Sequence, residues 1–167
     1  MGTRHLTIIK DIDGEELACM YGQFDGYPSG HGKDLKKFLQ GFRIINGYST
    51  DEKDQKLANG MGCLAMQLIA YFKVGRHRRS GEEIRPHESS FHLCPPGTRD
   101  YGEDYIYVIT LPITEKDFYK IEDLPQVPLN LLVKTVGFSG SANEDELKTI
   151  YSGSINDFDP TATMKLI

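Results

Sequence analysis

Along the first part of the chain, the spacing of apolar positions changes from that of a strand to that of a helix. Residues 5–10 (HLTIIK) form a short β-type run, Asp13-Gly14 supplies the positive φ of a tight turn, and residues 16–23 (ELACMYGQ) read as the returning strand of a hairpin. From Asp34 onward, Leu35, Phe38, Leu39 and Phe42 recur at helical spacing, while Gly41 and Asn46-Gly47 keep this first helix short. A longer helix is predicted over residues 50–73, where Leu57, Met61, Leu64, Leu68 and Phe72 make an apolar stripe and Thr50 or Asp51 caps the start. Gly60 and Gly62 weaken its middle by about 1 kcal/mol each relative to Ala.

Residues 75–102 have the composition of a loop, with a short strand at 90–93. Residues 105–111 (YIYVITL) combine β-branched and aromatic side chains without a breaker and give the best strand in the sequence. A proline-marked connection at 124–128 leads to another strand at 131–138, Asn143 caps a small helix over 144–151, and the tail from Gly153 reads as loosely held. Strands at both ends with helices between them predict one α+β domain over residues 1–167, an antiparallel sheet packed against two main helices.

Composition narrows the function classes. A chain of 167 residues with 39% hydrophobic and 26% charged residues can bury a core without disulfides. The formal charge of −5 disfavours a broad face for duplex nucleic acid, and the basic run KVGRHRR at 73–79 is a local exception. The longest apolar region, around 61–72, is interrupted by Gln67 and too short for a membrane span, so no membrane partner is expected. Cys19, Cys63 and Cys94 are odd in number, lack a CxxC pair and follow no secretion signal, which points to a reducing cytoplasm. His87, His92 and Cys94 match no zinc spacing, so neither a metal nor a cofactor is predicted.

Two polar segments carry the candidate chemistry. The first, YGQFDGYPSGHGKD at 21–34, leads from a strand through four glycines into a helix. It fails the GxxxxGK[ST] phosphate loop, because Tyr27 stands where the first glycine should and Asp34 where a hydroxyl should hold Mg²⁺. A backbone nest for an anion remains, surrounded by Tyr21, Gln23, Asp25, Tyr27, Ser29 and His31, side chains able to specify a ligand. The second, PPGTRDYGED at 95–104, offers Thr98, the guanidinium fork of Arg99, and the carboxylates of Asp100, Glu103 and Asp104; Arg4 adds a further cation. Asp25 and Glu103 are candidate general bases, and Cys19 with His31 a candidate nucleophile and partner.

At MGTRHLTII, YGQFDGYPSGHG, CPPGTRDYGEDYIYVI and VGFSGSANEDEL the chain resembles a family of small phage and bacterial proteins. Members of that family share an MGTR start, a YGQWDGYPxGxG loop, a PxGTRDxGEEYxY segment and a closing FxG. Phe24 stands where the family commonly has Trp, and His31 where it commonly has Gln, which counts against an obligatory His31 catalyst. The resemblance transfers no reaction. It implies that the two polar segments belong to one design and face one pocket. Apart from it, the two-hairpin, two-helix order of elements is similar to that of N-terminal-nucleophile hydrolases, although the nucleophile is missing.

Three readings follow. In the first, the protein sequesters a nucleotide-derived signal as a phage counter-defence protein: Arg4, Arg99 and loop amides hold phosphate, Tyr21 or Tyr27 stacks on the base, and Asp25 or Glu103 takes ribose hydroxyls. In the second, it hydrolyses such a ligand or an amide. In the third, it is a structural or assembly protein. The pattern leaves open a homo-oligomer with a pocket shared between subunits.

Overall fold

The computed structural model describes residues 2–49, 56–74, 90–99, 101–135 and 147–166. The opening hairpin is as expected: His5–Lys10 (β1) and Glu16–Gly22 (β2) pair antiparallel around a turn in which Gly14 has φ +90°. A single π-helical turn, Pro28–Gly32, then runs straight into Lys33–Leu39 (α1), and Gly41 at φ +84° ends that helix. Arg43–Ile45 (β3) and Leu57–Asn59 (β4) form a small parallel pair beside Gly60–Lys73 (α2). The remaining elements among the described residues are Phe91–Cys94 (β5), Tyr105–Thr110 (β6), Glu115–Phe118 (α3), a 3-10 turn at Ile121–Asp123, Asn130–Thr135 (β7), Lys148–Ser154 (β8) and Pro160–Met164 (α4).

Six strands make one sheet in the order β5-β2-β1-β6-β7-β8. All its neighbours are antiparallel except β1 and β6, which run parallel from His5 opposite Tyr105, so the sheet is mostly rather than wholly antiparallel. The class is α+β, as the order of strands and helices predicts.

Strand alternation divides the core into two. Ile9, Ala18, Met20, Tyr105, Tyr107, Ile109, Leu131 and Val133 face α1 and α2, which contribute Leu35, Phe38, Leu39, Leu64, Leu68 and Phe72. Leu6, Ile8, Cys19, Tyr21, Cys94 and Ile106 form a smaller cluster on the opposite face. Because two strands, β2 and β1, separate β5 from β6, the chain between them must cross both; the bonds of Gly97 and Arg99 to Glu16 at one end and of Gly102 and Asp104 to Arg4 at the other mark that passage.

Three expectations change. The second helix begins at Gly60, not at residue 50: Gly60 has φ +70°, a left-handed hinge through which a right-handed helix cannot extend backward, and Leu57 lies on β4 instead. Residues 148–151, expected to be helical, belong to β8, recruited by pairing with β7. The tail is not loose, since Ile155 and Phe158 are buried and Asp159 caps α4 by accepting from the amides of Thr161 and Ala162 at 2.9 and 3.0 Å. Thr50, Asp51, His87, Asn143, the basic run from residue 75 and the strand end beyond Thr135 lie outside the described residues.

Candidate functional site

The glycine-rich loop folds around a buried histidine pair. His5 and His31 are both fully buried and stack with ring centroids 3.7 Å apart, and His31 Nε2 shares a 2.7 Å hydrogen bond with Thr7 Oγ1. Phe72, Phe91 and Tyr107 surround the pair. A Cβ at Gly22 would lie 2.1 Å from His5 Nε2, and one at Gly26 2.9 Å from His5 Cβ. These glycines therefore make room for an imidazole.

Loop amides turn inward. Gly26 N–H donates to Thr3, Gly30 and Gly32 N–H to Tyr27, and His31 N–H to Asp25, at 2.8 to 3.5 Å, so these four are spent on the loop's own carbonyls and on Thr3 rather than aimed at an anion. Asp25 is exposed at φ +56°, where Tyr27 O–H donates to its Oδ1 at 3.3 Å, and Ser29 is exposed.

The second polar segment divides between the two ends of β2. At one end Arg99 grips Glu16 through both terminal guanidinium nitrogens, Gly97 N–H donates to Glu16 Oε2 at 2.6 Å, and Thr98 Oγ1 donates to Pro95 C=O at 2.6 Å. Burial opposes ionisation of Glu16, but Arg99 and the Gly97 amide outweigh it and hold its carboxyl below the ordinary range. At the other end, about 20 Å along the strand, Asp104 Oδ2 accepts from the Arg4 amide at 2.8 Å and Arg4 Nη1 donates to Gly102 C=O at 3.2 Å. Asp100 lies outside the described residues.

Of the expected residues, Arg4, Tyr21, Gln23 and Glu103 come together at this second end. Tyr21 O–H donates to Gln23 Oε1 at 2.6 Å; burial pushes its phenol up while nearby Arg4 pulls the other way. The Tyr21 ring lies 5.2 Å from Tyr101 and 5.8 Å from His92, measured between centroids. Glu103 is 6% exposed and its Oε2 accepts from the Tyr101 amide at 2.7 Å. Phe24 and Tyr101 are 56% and 55% exposed, Phe24 lying against Gly2. Tyr101 and His92, neither of them an expected binding residue, complete this group. Tyr101 sits inside the quoted segment, but His92 joins only through pairing of β5 with β2.

The two remaining catalytic candidates occupy poor positions for chemistry. His31 is sealed in the core. Cys19 is fully buried, and burial, with Cys94 beside it, pushes its thiol up to about 12, so it is protonated at neutral pH. Among the described residues no group of three or more His, Cys, Asp or Glu is placed to hold a metal ion, and no helix is long and apolar enough to cross a membrane. A surface groove of about 540 Å³ lined by Leu39, Phe42, Gln126, Leu129 and Ile155 includes none of the candidate residues. No protein family, curated protein or solved structure matches the chain.

Proposed function

We propose that the protein binds an anionic, ring-bearing small molecule of nucleotide type around Arg4 and sequesters it. The observation that carries this reading is Arg4 itself: a partly exposed guanidinium whose one side-chain hydrogen bond among the described residues goes to Gly102 C=O, beside the aromatic group of Tyr21, Tyr101 and His92. A guanidinium has five N–H donors, which leaves donors for an anion, while the adjacent rings offer a stacking surface. Arg99, already held by Glu16, is a weaker anchor than Arg4.

Sequestration is favoured over hydrolysis because His31 and Cys19 are buried and Cys19 is protonated. Glu103, itself buried, is the candidate general base beside the Arg4 group for the hydrolytic reading, lying next to Tyr101 with one oxygen engaged by an amide. A counter-defence role is the biological context that the family resemblance implies for a ligand sponge.

The test is to incubate the purified protein with a panel of cyclic and linear nucleotides, denature it by heat, and identify what is released. Intact ligand, with retention reduced at least tenfold by Arg4→Ala and by Tyr101→Ala, is the expected result, about 1.4 kcal/mol or more per contact. Altered ligand would shift the assignment to hydrolysis with Glu103. Retention of nothing across the panel, or retention indifferent to both substitutions, overturns the site.

A further inference from the structure

We propose that Cys19 and Cys94 are a redox modification site that closes a disulfide between β2 and β5, independently of what the Arg4 site binds. The two residues are directly opposite in the antiparallel register, so their side chains share a face, and both thiols are free and buried in the same small cluster with Leu6, Ile8, Tyr21 and Ile106. Directly opposed residues in such a pair have Cα atoms roughly 4.5–5.5 Å apart, inside the range of about 4.4–6.8 Å that a disulfide spans. Cys63 is no competitor, because it sits on α2 with its Sγ accepting from Gln67 Nε2 at 3.3 Å.

The oxidant required is a small-molecule disulfide, and oxidised glutathione is a suitable probe. Cys94, the less deeply buried of the pair, attacks one sulfur as its thiolate and releases one molecule of thiol, leaving a mixed disulfide. Cys19 then loses its proton and attacks Cys94 Sγ, the second glutathione leaves as thiol, and two protein thiols have been oxidised for one disulfide reduced. Burial pushes both thiols up, which makes both steps slow rather than unfavourable. β5 is a four-residue edge strand, and His92 on it stacks against Tyr21, so the new bond would fix one wall of the aromatic group.

The experiment is prolonged incubation of the folded protein with oxidised glutathione, blocking of residual thiols, and peptide mapping without and with reductant. The expected result is a linked pair of peptides carrying Cys19 and Cys94 that separates on reduction, and Cys63 outside that link. In Cys94→Ser, no link to Cys19 forms. Recovery of Cys19 and Cys94 unlinked while Cys63 has been modified, or a link that joins Cys63 to either, overturns the proposal.

Discussion

At Gly22 the required feature is the absence of a side chain. His5 Nε2 lies 2.1 Å from the point a Cβ would take, and His5 cannot withdraw, because its ring is stacked on His31 and edged by Phe91 and Tyr107. Gly22→Ala should therefore lower stability by about 3 kcal/mol or more, the upper range of overpacking, read as a lower urea midpoint. Gly62 is the contrasting case: it lies in α2 with open space where its Cβ would be, so Gly62→Ala should stabilise by about 1 kcal/mol. Equal effects from the two substitutions would show that the close approach to His5 is not what selects glycine in the loop. The same contrast explains how much of the site could be read from sequence. The density of glycines suggests a backbone nest for an anion, yet at Gly22 and Gly26 the group they make room for is a histidine from β1. Arg4, Tyr21, Gln23 and Glu103 were legible as polar or aromatic residues near strand ends. That Arg99 belongs to Glu16 was not, because that contact depends on which end of β2 the crossover reaches first.

At the scale of elements, α1 is closed at its C-terminus by a side chain from outside the helix. Lys56 Nζ donates to the carbonyls of Lys37, Phe38 and Gln40 at 2.8, 2.9 and 2.8 Å, placing a cation where the helix dipole is negative. Lys56→Met should cost about 1–2 kcal/mol, less than three buried charged bonds because the site is partly solvated. Amide exchange should quicken first in the last turn of α1; if the whole helix exchanges faster by one uniform factor, the cap is acting only through global stability. Elements whose pattern is local were legible: β1, β2, β6 and the start of α1 declare themselves through alternation, turn chemistry and helical spacing. The misread elements depend on something beyond the pattern. Leu57 keeps perfect helical spacing with Met61, but Gly60 takes φ +70° between them. Thr149, Ile150 and Tyr151 carry strand propensity while the acidic stretch upstream carries a helix-start signal, and only pairing with β7 decides between them.

For the molecule as a whole, two long-range ties hold coverings on the sheet. The first is Glu16–Arg99, which pins the crossover at one end of β2. Its folded-state carboxyl titrates below the ordinary value of 4.5, so its contribution is fully present above that value and is lost as pH falls through the lower, folded one. Glu16→Gln should cost about 1–2 kcal/mol at pH 7 and should flatten the fall in urea midpoint as pH drops below 4.5; an acid limb as steep as that of the parent would exclude this pair as its source. The second tie is the C-terminal segment. Phe158 is fully buried against Tyr151, and its ring approaches within 3.2 Å of where a Cβ on Gly32 would lie, at the point where the π-helical turn passes into α1. Lys36 Nζ reinforces the contact by donating to the carbonyls of Phe158 and Asn156 at 2.5 and 3.2 Å. The last residues thus brace the turn that seats His31 beneath the sheet. Phe158→Ala should cost about 3–5 kcal/mol, as for other buried aromatic truncations, and should release the amides of Gly30, His31 and Gly32 to hydrogen exchange more than those of β7. A destabilised variant in which loop and β7 amides gain exchange equally would mean that Phe158 supports the core generally and does not secure the loop.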